Sequence, residues 1–337
     1  MFNTIITDKL DRPIKDLRIS VMDTCNYRCP YCMPAEKFDE NYPFLRPSER
    51  LNFDEITRLV KIFASFGVNK IRLTGGEPLL RKNLAELIAR LKKIEGIKDI
   101  ALTTNGQLLK KQLPQLLDAG LDRVNISLDT IDPELYYQMS GKKGQLSEVL
   151  EAIDHAQNTT LKSVKLNCVV QKGINDKHIL PLLEKYQKTN VVVRFIEFMD
   201  VGTKNGWQKK TVIPFSEILQ IIQSKWQLKA IDPNYKGEVA ARYKYQDFAG
   251  EIGFITSISK PFCRDCSRAR LSADGQLFTC LFASESHDLR QWLRNNNDDL
   301  LQKQIQNIWQ NRDDRYSEIR HQFKDSKKKI EMYVIGG

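Results

Sequence analysis

Six of the seven cysteines in this sequence fall into two groups of three. The first group, Cys25-Asn26-Tyr27-Arg28-Cys29-Pro30-Tyr31-Cys32, has the spacing C-x₃-C-x₂-C. Thiolates this close on a loop can converge on one metal centre. Structural zinc takes a closed set of four ligands. The four histidines (His155, His178, His287 and His321) all lie far from this loop in sequence. Three cysteines would leave one iron of a [4Fe–4S] cluster without a protein ligand, open to a small molecule. Zinc completed by a remote fourth ligand is the alternative. The second group, Cys263-Arg264-Asp265-Cys266 with Cys280, reads C-x₂-C-x₁₃-C. A lone CxxC fits zinc or thiol redox chemistry. A second incomplete trio is the unusual feature. Cys168, in the run Val164-Lys165-Leu166-Asn167-Cys168-Val169-Val170, reads as a buried small hydrophobe. The odd cysteine count and the chain length argue against a disulfide framework.

Strands and helices must bring these groups together. Short apolar stretches over 17–21, 70–74, 100–104, 124–128, 164–170 and 191–198 read as strands. Helical patterns over 53–66, 84–94, 108–119, 145–157 and 177–188 alternate with them. Asn52 and Glu55 have capping-box spacing, Gly67 follows the first helix, and Pro114 should disturb the third. Six βα units imply a parallel sheet with helices outside it, either an open barrel or a doubly wound sheet. Both place functional residues at the C-terminal ends of strands. The first cysteine run, Gly75-Gly76-Glu77-Pro78, Thr103-Thr104-Asn105-Gly106 and Ser127 all fall there. Beyond 198 the rhythm changes to a helix over 215–226, strand-like pieces over 240–245 and 252–258, and a helical tail over 289–316. We expect an α/β chain, an incomplete (βα)6 TIM-like barrel over 1–210, with 211–337 covering its open side.

The 337 residues are 41% hydrophobic and 28% charged, ordinary for a globular protein. No apolar run approaches the roughly 18–20 residues of a membrane span. The first ten residues lack the layout of an export signal, so a cytoplasmic location without membrane attachment is the expectation. The +10 charge fits a basic surface or a polyanionic partner, either nucleic acid or a phosphorylated small molecule.

The C-x₃-C-x₂-C run, with Tyr31 before its last cysteine, resembles the radical S-adenosylmethionine (SAM) superfamily. Gly75-Gly76-Glu77-Pro78, ending the next predicted strand, resembles that superfamily's methionine-binding motif. The run from Pro261-Phe262-Cys263 through Arg268-Ala269-Arg270-Leu271-Ser272-Ala273-Asp274-Gly275 to Cys280-Leu281-Phe282 is similar to the GTP 3′,8-cyclase family of molybdenum-cofactor biosynthesis, as is the Ile335-Gly336-Gly337 end.

This resemblance implies two [4Fe–4S] clusters, one on Cys25, Cys29 and Cys32, the other on Cys263, Cys266 and Cys280. It implies SAM contacts at Tyr31, Gly76, Ser127 and Met199, and catalytic roles for Gly336 and Gly337. It implies GTP held by Arg18, Lys70, Arg72, Thr103, Lys165, Arg194, Arg268 and Arg270. Charges inside buried strands need a reason, and a triphosphate is one. The implied reaction cyclises GTP to (8S)-3′,8-cyclo-7,8-dihydroguanosine 5′-triphosphate. The implied partners are an electron donor such as flavodoxin, the downstream cyclic pyranopterin monophosphate synthase and a second copy of the chain; nucleic acid is not expected. A peptide-modifying radical enzyme is one rival, although such enzymes usually carry more C-terminal cysteines. A zinc-stabilised nucleic-acid-binding protein is the other, and it needs four ligands per metal and aromatics within a basic patch.

Overall fold

A computed structural model describes residues 5–295, 297–322 and 329–336. Six parallel strands alternate with helices in its first part. They are β1 (Asp16–Met22), β2 (Lys70–Gly75), β3 (Asp99–Thr104), β4 (Arg123–Ser127), β5 (Ser163–Val170) and β6 (Val192–Glu197). Helices α1 (Phe53–Ser65), α2 (Leu84–Lys92), α3 (Leu109–Asp118), α4 (Pro133–Met139), α5 (Leu146–Gln157) and α6 (Ile179–Tyr186) come between them. Further on lie α7 (Phe215–Gln223), β7 (Leu228–Ile231), β8 (Ala241–Tyr245), β9 (Glu251–Ile255), β10 (Arg268–Leu271), β11 (Gln276–Phe278) and β12 (His287–Asp288). The chain closes with α8 (Arg290–Arg294), α9 (Asp298–Gln310), α10 (Tyr316–Ile319) and α11 (Met332–Ile335).

The strands form one sheet in the order β12-β11-β10-β1-β2-β3-β4-β5-β6-β9-β8-β7. The expected incomplete parallel barrel is present. Its later residues do more than cover an open side. β10 adds in parallel to β1, and β9 adds in parallel to β6, so both edges of the six-stranded sheet are extended. An unpaired edge leaves a row of backbone donors and acceptors that another strand can satisfy.

Strand alternation divides the two faces. Leu17 and Ile19 of β1, Leu73 of β2 and Ile100 and Leu102 of β3 are fully buried in one core with the inner sides of α1, α2 and α3. Each such side chain contributes about 1.5–3 kcal/mol of burial. The intervening positions of β1 and β2 face the interior of the barrel. Register sets Arg270, Arg18 and Arg72 abreast across β10, β1 and β2. The strand charges that were hard to place in an apolar sheet therefore point inward together.

The capping box at α1 forms as expected, with Asn52 Oδ1 accepting from Glu55 N and Glu55 Oε2 from Asn52 N, both at 2.8 Å. Pro114 lies within α3, which runs through it. The expected single tail helix over 289–316 is instead broken between α8 and α9. Asn297 Oδ1 caps a fresh start by accepting from Leu300 N at 2.9 Å. Asn and Asp side chains here favour local capping over helix continuation. Among the described residues no helix is long and apolar enough to cross a membrane.

Candidate active site

The interior of the barrel is a cavity of about 300 Å³, lined by all six grouped cysteines. None of the six is in a disulfide.

The first trio sits on the loop after β1. Cys29 O accepts from Cys32 N at 3.0 Å and Met33 N at 2.9 Å, which folds the loop into a tight turn. Arg28 braces it from behind. Its Nη1 donates to Cys25 O at 2.7 Å and Tyr27 O at 2.8 Å, and its Nε to Phe38 O at 2.8 Å. Arg28 N donates to Ser140 O at 3.1 Å, tying the loop to the residues after α4. Tyr31 OH donates to Asp129 Oδ2 at 2.7 Å, while Asp129 Oδ1 accepts from Val169 N at 2.8 Å. Burial pushes the thiols of Cys25 and Cys32 up to about 12, and that of Cys29 well above its ordinary range. Thiolates in such a place need a cation beside them, which the iron of a cluster provides. These donors therefore fit an iron–sulfur group.

The turn after β2 lies beside this loop. Gly76 N donates to Met22 O at 2.7 Å and Glu77 N to Thr24 O at 2.9 Å. A side chain at Gly76 would collide with the Thr24 carbonyl, so the close approach requires glycine. Glu77 is buried, and it accepts from Thr104 Oγ1 at 2.8 Å, Asn105 N at 2.8 Å and Leu79 N at 3.0 Å. Burial outweighs these bonds and lifts its carboxyl to about 7.

Of the second trio, Cys263 and Cys266 lie between β9 and β10, and Cys280 follows β11. Two buried arginines brace it. Arg12 Nη1 donates to Cys263 O at 2.7 Å and Arg312 Nη1 to Cys266 O at 2.8 Å. Asp8 Oδ2 joins the pair, accepting from Arg12 Nε at 2.6 Å and Arg312 Nη1 at 3.0 Å. Burial alone would raise the Cys266 thiol, but Arg268 and Arg312 pull it down to about 6. Burial pushes Cys280 up to about 12, helped by Asp314. Among the described residues, no three His, Cys, Asp or Glu side chains gather as one metal ion would need.

Between the trios stand Arg18, Arg72, Arg194, Arg268 and Arg270, all lining the cavity. Arg18 Nε and Arg72 Nε are buried without hydrogen-bond partners. Burial and neighbouring arginines hold Arg18 well below its ordinary range and bring Arg194 and Arg270 to about 10. Lys165 is brought down to about 7 by burial, then by Arg194 and Arg123. A site that strains its own cations this way is built for a polyanion.

Tyr31, Gly76, Thr103, Ser127 and Met199 also line the cavity. Lys70 and Lys165 are not part of that lining; Lys70 opens β2 and Lys165 is third in β5. Gly336 is drawn in differently, its carbonyl accepting from Arg270 Nη1. Gly337 lies outside the described residues. Cys168 is buried, as its apolar run implies. Sequence reasoning missed Asp16, Arg123, Asp129, Asn167, Tyr235 and Arg312, which also line the cavity. For Asn167 the signal was a polar residue inside an expected strand, whereas Arg123 falls one residue before the expected strand over 124–128.

Two family models match the chain. The Radical SAM superfamily matches residues 19–186, and Molybdenum Cofactor Synthesis C matches residues 191–318. The GTP 3′,8-cyclase of Xanthomonas axonopodis pv. citri is 49% identical over 98% of this chain and 98% of that one. The GTP 3′,8-cyclase of Staphylococcus carnosus is 48% identical over 98% and 99%. Among solved structures, SuiB of Streptococcus suis bound to S-adenosylmethionine covers 94% of this chain and 68% of its own, with a TM-score of 0.57 at 14% identity. That likeness supports the fold. Identity near one half along almost the whole length, over a barrel of this design, means that the chain belongs to the GTP 3′,8-cyclase family of the radical SAM superfamily.

Proposed function

We propose that the chain cyclises GTP to (8S)-3′,8-cyclo-7,8-dihydroguanosine 5′-triphosphate in molybdenum-cofactor biosynthesis, with each cysteine trio holding one [4Fe–4S] cluster. The observation that carries this reading is the single cavity on which both trios and the arginine set converge. When bound, a cluster and SAM supply a radical able to take hydrogen from carbon.

The chain's own residues position and enclose. Cys25, Cys29 and Cys32 would hold the cluster that supplies the electron for SAM cleavage, and Tyr31, Gly76, Ser127 and Met199 would contact SAM. Glu77 fixes the glycine turn through its three accepted hydrogen bonds. Arg18, Lys70, Arg72, Lys165 and Arg194 neutralise the triphosphate, with Thr103 beside them. Guanidinium groups match phosphate oxygens bidentately, and lysines act as point charges. Cys263, Cys266 and Cys280 would hold the second cluster, which would supply an open iron for the guanine end, next to Arg268 and Arg270. Arg270 also holds the tail through the Gly336 carbonyl, and Gly336 and Gly337 take the catalytic roles that the family resemblance implies. Enclosure by the barrel keeps solvent from the open-shell intermediates.

Residues 1–210 supply the radical site and 211–337 the second trio and tail. An electron donor such as flavodoxin and the downstream cyclic pyranopterin monophosphate synthase are the proposed partners, with a homodimer as the assembly. The test replaces Cys263, Cys266 and Cys280 together with Ser. GTP conversion should be lost while reductive cleavage of SAM persists. Unchanged GTP turnover would remove the anchoring role.

A further inference from the structure

The loop between β7 and β8, residues 232–240, takes no part in the roles above. Yet Tyr235, Glu238 and Val239 from it line the cavity, at the end formed by the strand starts. Asp16 and Arg123 line the same end. Here Lys70 Nζ lies 3.0 Å from the centre of the Tyr235 ring. A desolvated ammonium over an aromatic face is held by the ring's quadrupole. Tyr235 is 40% exposed, so its other side meets solvent. It separates the basic cluster from water.

Two features fix the loop in this place. Gly237 has φ +88°, and a Cβ there would come within 2.6 Å of the Asp265 carbonyl oxygen. The loop thus rests against the second cysteine loop. Glu238 is folded back on its own turn, its Oε2 accepting from Asn234 N at 2.6 Å and its Oε1 from Asn234 Nδ2 at 3.3 Å.

The charges give the loop its purpose. Glu238 and Tyr235 line the same cavity as Arg72, Arg123 and Arg194, and the Glu238 carboxylate acts on Lys70, Lys165 and Arg194 alongside Asp16, Asp99 and Glu251. Cations gathered in one low-dielectric place repel one another. The Glu238 carboxylate offsets that repulsion while no other anion is bound. Once a polyphosphate enters, the same carboxylate becomes a like charge beside it.

We propose that the β7–β8 loop is the phosphate-end wall of the substrate site, with Tyr235 sealing the opening over Lys70 and Glu238 serving as the counter-charge that a polyphosphate replaces. The inference rests on the basic set being the triphosphate site. Substrate would then enter and leave at the strand-start end, under this loop.

The counter-charge role makes two effects of Glu238→Gln run in opposite directions. Inorganic triphosphate should bind the reconstituted holoenzyme roughly three- to tenfold more tightly at low salt, with the gain shrinking at high salt. The melting temperature without ligand should fall by roughly 1–3 °C. A purely structural glutamate would lower both affinity and stability. Tyr235→Ala should speed release of a fluorescent GTP analogue by about tenfold, and Tyr235→Phe, which keeps the ring over Lys70, should restore the slow rate. The inference is overturned if triphosphate binds Glu238→Gln no more tightly than the unsubstituted enzyme, or if Tyr235→Ala releases nucleotide at the unsubstituted rate. Failure of the unsubstituted enzyme to bind inorganic triphosphate at all would remove the basic-set reading, and this inference with it.

Discussion

At the scale of single residues, the site works against the stability of its own protein. Lys165 is buried among arginines, and its ammonium is brought down to about 7. Because its folded value lies below the ordinary 10.5, the ligand-free fold favours the neutral amine. The contribution to stability is present above the unfolded value and is lost as pH falls through about 7. The free protein should therefore gain stability as pH rises from near 7 toward 10. Lys165→Met should abolish that slope and raise the melting temperature at pH 7 by roughly 1–2 °C, the shift about 1 kcal/mol produces in a chain of this length. It should also weaken GTP binding about tenfold or more. Denaturation across pH, paired with a nucleotide titration, checks both effects. A melting temperature that falls in Lys165→Met would mean that the lysine is a structural cation. The cysteine trios and the in-strand arginines were legible in sequence because their residue types are rare in such places. Asp129 was not legible, since its link to Tyr31 joins residues 98 positions apart.

At the scale of elements, supports matter as much as ligands. The first cysteine loop leans on the residues after α4 through Arg28 N and Ser140 O. Next to that contact Gly141 has φ +69°, and a Cβ there would strike the Arg28 carbonyl. Gly141→Ala should displace the loop without touching any cysteine. Iron content after reconstitution should fall by roughly half, with the second site intact. Full iron loading in this variant would show that the loop tolerates the displacement. Neither α4 nor the need for glycine at 141 was legible in sequence. Nothing in the run Gly141-Lys142-Lys143-Gly144 itself points to the cysteine loop, and only the fold puts the two together. The six main strands were legible from their apolar stretches. β10 was missed because four residues, Arg268-Ala269-Arg270-Leu271, are too few to show a period, although Ala269 and Leu271 are fully buried. The tail helix was overextended because its apolar spacing continues across the Asn run that breaks it.

At the scale of the whole molecule, one continuous sheet holds two cysteine sites that lie more than 200 residues apart in sequence. β10 pairs with β1, so the second trio is brought beside the strand that launches the first. The tail closes the arrangement. Tyr333 packs edge-on against Phe38 and hydrogen-bonds Tyr42 at 2.6 Å. Tyr333→Ala should loosen the tail, lowering GTP turnover at least tenfold while leaving GTP affinity near its original value, a split that steady-state kinetics and nucleotide binding together resolve. Equal loss of affinity would place the defect in the substrate site. The parallel sheet was legible from six βα units, although their pattern alone fits a doubly wound sheet as well as an open barrel. The edge additions were not, since pairing between distant strands leaves no local pattern in sequence.

The central claim is that each trio of cysteines carries its own iron–sulfur cluster on one shared cavity. Anaerobic reconstitution followed by iron and acid-labile sulfide analysis, on the unsubstituted chain and on the two triple Cys→Ser variants, tests it most directly. The account predicts about eight irons in the unsubstituted chain and about four in each variant. About four irons in the unsubstituted chain, with zinc at the second trio, would contradict it.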